Sequence, residues 1–303
     1  MSGAAGGCGW KLRRLRAMDS GEIAHRAGAW ARDRFAPPRY AGLAPGAAFR
    51  HLFRGDPARA LADSRWHRVL RVPGGAEGLE DTVEAARAIE RGEWTLFGHP
   101  ARLEDPPRWN ADPLGGGAWP DAPSRTLDYR RTDVAGGVKG CWEVGRTTFL
   151  PTLAVAGRAA GDAALAERAA RWLDDWTRAN PLGRGIHHAS GIEMAIRVIT
   201  QGATLALVGS RLPPDRLAAA LGLLAQQALH CRDHRSLGSS ANNHLIAEYA
   251  AMAVMGGAFP ALRGADRLLA AGHRGLVRET LRQFHSDGVP AEQAFGYLPF
   301  VWE

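Results

Sequence analysis

Cysteine is scarce in this sequence. Among 303 residues there are three, Cys8, Cys141 and Cys231. They are odd in number and widely spaced, and none belongs to a CxxC or Cys/His pattern of the kind that binds zinc. We therefore expect reduced thiols and no disulfide framework.

Histidine motifs for metal binding are also missing. Two groups stand out among the 11 histidines: the pair His187-His188 and the set His230, His234 and His244. Neither contains the HExxH motif, in which a glutamate accompanies two histidines on one face of a helix. The sequence predicts neither a metal site nor a cofactor.

Long apolar runs are absent as well. No stretch reaches the roughly 20 apolar residues that cross a bilayer, so we expect no membrane span. The first ten residues, Met1–Trp10, contain no apolar run after a basic start, and therefore do not resemble a secretory signal. The expected location is the cytoplasm, with the periplasm as the alternative if translation starts further upstream.

Excess positive charge is confined to the start of the chain. Residues 1–60 contain eleven Lys/Arg and four Asp/Glu, which accounts for the whole net charge of +7. A basic arm with Lys11, Arg13 and Arg14 has the charge to contact nucleic acid, lipid headgroups or an acidic polysaccharide. Zinc-finger, RNA-binding and helix-turn-helix patterns are lacking, so a solvated helix face is the simpler interpretation and we predict no nucleic-acid partner.

The composition, 46% hydrophobic and 23% charged, is that of a globular protein. We divide the chain into a basic N-terminal helix and irregular arm, residues 1–64, and a main domain, residues 65–303. In the arm, Asp19-x-x-Glu22 is a capping box that predicts a helix from 20 to 35. The Pro, Gly and Ala content of residues 36–64 predicts an irregular connection.

The next hundred residues have mixed character. Residues 66–72 are predicted to be a short strand or extended segment, and residues 80–92 a helix. An aromatic, proline-rich loop follows, in which prolines interrupt regular structure. Its tryptophans, Trp94, Trp109 and Trp119, are interpreted as packing residues rather than as platforms for sugar rings.

From Trp142 onward the apolar residues follow the helical period. The short breaks between the predicted helices imply antiparallel neighbours, which form a bundle, a solenoid or a closed α/α toroid. The fold class is therefore mainly α. The predicted helices are 142–160, 162–179, 188–209, 213–231, 240–256 and 265–285.

Two polar segments stand out against this apolar background. Asn242, Asn243 and His244 occupy the first turn of the predicted helix 240–256. Capping explains Asn242, whereas Asn243 and His244 need partners if the helix start is buried. Further on, an Asp-Gly turn precedes Tyr297. Taken alone, Tyr297 is better explained as a core or rim tyrosine than as a reactive one.

Charged residues also recur at helical spacing. Glu193 and Arg197 are four apart in SGIEMAIR, and Glu143 and Arg146 are three apart in the Trp142 segment. Each pair shares a helix face and can form an ion pair. Two apolar helices that each present an acid and an arginine predict a polar channel between them.

These segments together resemble the N-terminal domain of heparinase II/III-like proteins. The resemblance is carried, in the family order, by GEWTLFGHP, the Trp-Glu-x-x-Arg segment, SGIEMAIR, and NNHLIAE followed about fifty residues later by EQAFGY. It extends from about residue 85 to the last residue. It implies an incomplete α/α toroid followed by an antiparallel β-sandwich.

The resemblance also implies an activity, the cleavage of uronate-containing polysaccharides by β-elimination. By this resemblance Asn243, with His244, neutralises the uronate carboxylate, and Tyr297 acts as acid, base or both. Substrate contacts or supports in the cleft are assigned to a second group: Glu143, Arg146, His188, Glu193, Arg197 and Asn242. His188 departs from the pattern, because an aromatic residue is more usual at the His187-His188 pair.

A second departure concerns the end of the sequence, six residues after Tyr297. Several relatives use a further histidine from the β-sandwich. We therefore expect a fragment, a truncated gene product or an N-terminal half whose β domain is encoded elsewhere, with an acidic polysaccharide as partner. The alternative is a non-catalytic glycan-binding remnant. A glycoside hydrolase using Glu143 and Glu193 is weaker, since it needs two carboxylates opposed across the scissile bond.

Overall fold

The structure is a computed structural model, and most of the chain can be described from it. Between residues 18 and 291 the description has only short gaps. The described residues are 18–35, 38–68, 70, 72, 75, 77–238 and 241–291.

Helices dominate this part of the chain, and one short antiparallel hairpin accompanies them. Short 3-10 turns lie at Arg39–Gly42, Trp66–Arg68, Ser124–Thr126, Ile186–His188 and Gly209–Arg211. The helices and strands are α1 Ser20–Phe35, α2 Pro45–Leu52, α3 Pro57–Ala62, α4 Glu80–Glu90, β1 Glu93–Leu96, β2 His99–Arg102, α5 Val138–Arg146, α6 Phe149–Ala159, α7 Ala163–Ala179, α8 Gly191–Val208, α9 Pro214–Asp233, α10 Asn243–Ala258 and α11 Ala265–Gln283.

The long helices form two layers. In one layer α6, α8 and α10 contact each other in that order. Helices α7, α9 and α11 form the other layer and pack against their neighbours in the chain. This alternation of antiparallel pairs is an incomplete α/α toroid, and the predicted mainly α fold is confirmed.

Local chemistry explains where several of these helices begin. Asp162 caps α7 by accepting the backbone N–H groups of Ala164 and Leu165, at 2.8 and 3.3 Å. Pro214 occupies the first turn of α9, where the missing N–H has no cost. At α1 the predicted capping box is half formed, since the Asp19 carboxylate accepts the N–H of Glu22 at 2.8 Å.

The aromatic loop ahead of α5 anchors one side of the core. The indole N–H of Trp109 donates to Asp175 at 2.8 Å, and its ring stacks on Phe149 at 6.2 Å between centroids. Trp94 meets the same phenyl ring edge-on at 5.8 Å. Trp119 is buried in a smaller cluster with Ile186. The three tryptophans therefore pack, as predicted.

Residues 36–64 were predicted to be irregular, which is wrong for most of the segment. Helices α2 and α3 lie there, and α2 packs against α9. The contact depends on Gly222, because a Cβ at that position would lie 1.9 Å from the carbonyl oxygen of Pro45. Close backbone approach, which local composition does not reveal, fixes this segment on the core.

The predicted strand or extended segment at residues 66–72 is wrong in its first residues, where Trp66–Arg68 forms a 3-10 turn. Strands lie instead in the predicted loop, as the β1–β2 hairpin. Its two-residue turn has Phe97 and Gly98 at φ 52° and 78°. Phenylalanine is unusual at positive φ, so the turn carries no common sequence signature.

The predicted helix 142–160 is two helices. Thr147 adopts the left-handed conformation, with φ 57°, between the end of α5 and the start of α6. Its hydroxyl donates to the carbonyl of Arg146 at 2.7 Å, so the bend is held by a local hydrogen bond.

One helical segment has the length and composition of a membrane span, contrary to the expectation from apolar runs. Residues Gly191–Arg211 have a mean hydropathy of 1.3 over the best window. However, 67% of that window is buried inside the fold, and Glu193 and Arg197 within it are fully buried. The segment is a core helix of the toroid.

Candidate functional site

The Asn-Asn-His segment begins α10. The Asn242 side chain caps the helix, with its Oδ1 accepting the backbone N–H of His244 at 3.1 Å. Asn243 follows in the first turn and is 4% exposed, whereas His244 is half-buried. The capping interpretation of Asn242 is confirmed. Its role in substrate binding, like those of Asn243 and His244, stays a prediction.

Three charged residues join α5 to α8. The Arg146 guanidinium binds Glu193 through two hydrogen bonds, Nε–Oε2 at 3.0 Å and NH2–Oε1 at 2.9 Å, and also binds Glu143. The Glu193 side chain is 1% exposed, against 25% for Arg146 and 21% for Glu143. Only Arg146 and Glu143 are therefore placed to contact a ligand in solution.

The environment of Glu143 shifts the pKa of its carboxyl. Burial raises the pKa of this carboxyl above its usual value, and the nearby Glu193 adds to the effect while Arg146 opposes it. Because one guanidinium binds both carboxylates, they are not opposed across a gap, which counts against the glycoside hydrolase interpretation.

Arg197 does not form the predicted intrahelical ion pair with Glu193, and that prediction is wrong. Its Nε donates to Gln227 Oε1 at 2.7 Å and its NH2 to the carbonyl of His187 at 2.5 Å. Burial lowers the pKa of this guanidinium to about 10, partly offset by Glu193. Arg197 therefore stays charged at neutral pH and supports the interior by joining α8 to α9 and the Ile186–His188 turn.

The histidine pair ahead of α8 lies against this arginine. A ring nitrogen of His187 is 2.8 Å from the carbonyl of Trp109, and one of His188 is 3.0 Å from the carbonyl of Arg184. Burial, assisted by Arg197, lowers the pKa of His187 to about 3 and that of His188 well below its usual value. Both rings are therefore neutral at physiological pH. His188 is 6% exposed, and its predicted contact with substrate remains a prediction.

Tyr297 lies outside the described residues, as does all of EQAFGY. Its position relative to Asn243 is therefore not part of the site described. Among the described residues the structure brings Glu143, Arg146 and Glu193 into direct contact. Arg197 follows on the next turn of α8, and α10, which carries Asn243, packs against α8.

Glu248 was missed as a candidate, although it ends the NNHLIAE segment. It is 0% exposed, and the backbone N–H and hydroxyl of Ser236 both donate to its carboxylate at 2.7 Å. Burial raises the pKa of this carboxyl to about 7, against the opposing effect of the Ser236 hydrogen bonds and Arg235. A glutamate in the middle of an apolar helix is the signal that could have indicated it.

In the part of the chain that the structure describes, neither a cluster of metal ligands nor the groove between α4, the hairpin and α6 coincides with these residues. Within the described ranges, no group of three His, Cys, Asp or Glu side chains is arranged to hold a metal ion. A groove of 750 Å³ lies between α4, the hairpin and α6, lined by Trp94, Arg102, Thr148 and neighbouring residues. The predicted site residues do not line it.

Comparison with known proteins identifies the family. A family model described as the heparinase II/III N-terminus matches residues 125–300, more than half of the chain. The chain belongs to this family. The resemblance predicted from the motifs is confirmed, although a sequence comparison with curated proteins finds no match.

Solved structures support the heparinase II/III fold. The heparan sulfate lyase HepC from Pedobacter heparinus has a TM-score of 0.53 and 19% sequence identity over 81% of this chain. A heparinase III gene product with methylated lysines has a TM-score of 0.51 and 18% identity over 76% of this chain. In both cases the match covers 35% of the other chain, so this heparinase II/III chain corresponds to about a third of each protein.

Proposed function

We propose that this chain is the α-helical part of a lyase that cleaves a uronate-containing acidic polysaccharide by β-elimination. Membership of the heparinase II/III family supports it, as do the similarities to HepC and heparinase III. The structural observation that carries it is the placement of Asn243 and His244 in the first turn of α10, with Asn243 buried.

This placement suits the charge that develops in β-elimination. A base removes the proton next to the uronate carboxylate, a carbon–carbon double bond forms, and the glycosidic oxygen leaves with a proton from an acid. Negative charge builds on the carboxylate as the first proton leaves. The Asn243 amide and the positive end of α10 stabilise that charge. In this proposal Tyr297 transfers the protons and His244 assists Asn243.

The charged residues around α8 take different roles in this proposal. Arg146 and Glu143, which are partly exposed, contact the polysaccharide. Arg197, Glu193 and His188 are buried and support the cleft wall.

The direct test is the ultraviolet absorbance of unsaturated uronate product with heparan sulfate, heparin and alginate. Wild-type protein forms product on at least one polymer. Asn243→Ala and Tyr297→Phe each lower kcat by at least about 100-fold, because each removes a group that acts in the transition state. Asn243→Asp is as inactive as the alanine variant, since a second carboxylate repels the substrate.

Tyr249→Phe is the matched control. Tyr249 is a buried tyrosine of α10 whose hydroxyl accepts a hydrogen bond from Arg278 at 2.8 Å. Loss of this hydroxyl leaves kcat within about threefold, because it takes no part in the proposed proton transfer or carboxylate contact. Absence of product from the wild type on the whole panel would contradict the activity, and binding without product would support the non-catalytic alternative.

A further inference from the structure

Glu248 is a buried acid that the proposed chemistry leaves without a role. It lies on α10, five residues after Asn243, and is 0% exposed. Its Oε2 accepts the backbone N–H of Ser236 and its Oε1 accepts the Ser236 hydroxyl, both at 2.7 Å. Burial of an acid costs little free energy only if its oxygens have hydrogen-bond partners. Here Ser236 supplies both hydrogen bonds.

Ser236 belongs to the loop that leads into the Asn-Asn-His segment. This loop, residues 234–242, joins the end of α9 to the start of α10 and includes the capping residue Asn242. Within the described part of the loop, Ala241 N–H donates to the carbonyl of Gly238 at 3.0 Å, and Arg282 of α11 donates to the Ala241 carbonyl at 3.1 Å. The Glu248 carboxylate holds the loop at Ser236, and Arg282 holds it at Ala241.

Helix α8 also closely approaches the Glu248 carboxylate. At Gly191, the first residue of α8, a Cβ would lie 2.4 Å from Glu248 Oε1. The Gly191 carbonyl in turn accepts the Cys231 thiol of α9 at 3.7 Å. Glu248 thus lies where α8, α10 and the loop meet, and only glycine at position 191 allows this approach without displacement.

The protonation state of Glu248 suits this contact. Because burial raises the pKa of the carboxyl to about 7, the protonated form is well populated near neutral pH. A protonated carboxyl can accept the Ser236 N–H on one oxygen and donate to the Ser236 hydroxyl from the other. Glutamine has the same arrangement of one acceptor and one donor, so it can replace Glu248 in this contact.

We propose that Glu248 is a positioning residue that holds the loop at Ser236 against α8 and α10 and thereby fixes Asn243 and His244 for substrate. The effect on catalysis rests on the proposed lyase function. Glu248 touches neither substrate nor reacting atoms. Its removal leaves the first turn of α10 attached to a looser loop.

Two measurements on the full chain test this inference. One is hydrogen exchange of peptides that cover residues 234–245, and the other is kcat and KM for the polysaccharide, followed by the formation of unsaturated uronate product. In Glu248→Ala, those amides exchange at least about tenfold faster because the loop opens locally. Misplacement of Asn243 lowers kcat by about 10- to 100-fold and leaves KM within about threefold. Ser236→Ala gives smaller changes in the same direction, and Glu248→Gln restores both readouts to near wild type.

Met252→Ala is the control for stability alone. Met252 is fully buried on the same helix, one turn beyond Glu248, and its truncation removes core packing from α10 but none of the hydrogen bonds to the loop. Exchange or kcat effects as large in Met252→Ala as in Glu248→Ala would overturn the inference, and so would unchanged exchange in Glu248→Ala. Exchange needs no substrate, so it decides the role of Glu248 in the loop even if the wild type cleaves no polymer.

Discussion

Arg146 on α5 and Glu193 on α8 form a bidentate ion pair across 47 residues of sequence, with N–O distances of 3.0 and 2.9 Å. The Glu193 side chain is 1% exposed, so little water could solvate its charge if Arg146 were removed. A buried acid in this position is stabilising only while the arginine is present.

Arg146→Met is therefore expected to lower the free energy of unfolding by roughly 2–4 kcal/mol, measured by urea denaturation at pH 7. The double variant Arg146→Met/Glu193→Gln recovers part of this loss, because the unpaired buried charge is gone. Arg184→Met is the control. Arg184 binds Asp121 in the same bidentate geometry, but the side chains are 48% and 64% exposed. Equal losses in Arg146→Met and Arg184→Met would contradict the argument.

Glu248 gives stability a dependence on pH. Its pKa of about 7 in the folded protein lies above the ordinary 4.5, so folding favours the protonated form. The stability that this difference in pKa contributes is fully present below pH 4.5 and is lost as the pH rises through 7. The free energy of unfolding of Glu248→Gln, taken relative to wild type, should therefore rise by about 3 kcal/mol from pH 4 to pH 8. Urea denaturation at both pH values measures this, and a difference that does not vary with pH would be the opposing result.

Two glycines on helices should respond in opposite ways to alanine. Gly222→Ala places a methyl group against the Pro45 carbonyl and should destabilise the protein by roughly 1–3 kcal/mol or more through overpacking. Gly28 in α1 has open space around it, and Gly28→Ala should stabilise that helix by about 0.5–1 kcal/mol. Thermal unfolding followed by circular dichroism measures both. A stabilised Gly222→Ala would show that α2 does not approach α9 closely.

The hairpin turn offers a stabilising change. Phe97 is 56% exposed and has φ 52°, a conformation that asparagine adopts more readily. Phe97→Asn should raise the free energy of unfolding by about 0.5–1 kcal/mol. Gly98→Ala, at φ 78° in the same turn, is the control and should lower it. If both variants shifted stability in the same direction, the turn geometry would not explain the effect.

The sequence predicted most long helices well because their causes are local. The capping box at Asp19 and the cap at Asn242 determine where α1 and α10 begin, and both depend on residues within three positions. Segment α2 was missed because its stability depends on the close approach of Gly222, 177 positions after Pro45.

The candidate site also has a part that local sequence predicts and a part that depends on distant residues. The motifs identified Asn243 and His244 as well as the charged pairs. They also indicated, wrongly, that Glu193 would pair with Arg197, because helical spacing considers one helix at a time. Arg146 of α5 binds Glu193 in place of Arg197. Arg197 donates a hydrogen bond to Gln227 on α9 instead. The role of Glu248 likewise depends on Ser236 and on a helix start distant in sequence.

The two-layer order of the helices also determines how the fold comes apart. Among the described residues, helix α8 packs against five helices (α5, α6, α7, α9 and α10), whereas α11 packs chiefly against α10 and leaves Val277 and Leu281 46% and 78% exposed. Stability in such an array is a sum over neighbouring contacts rather than a single all-or-none quantity. Helix α11 should therefore fray well before the toroid melts, and α8 should be among the last described helices to lose its structure.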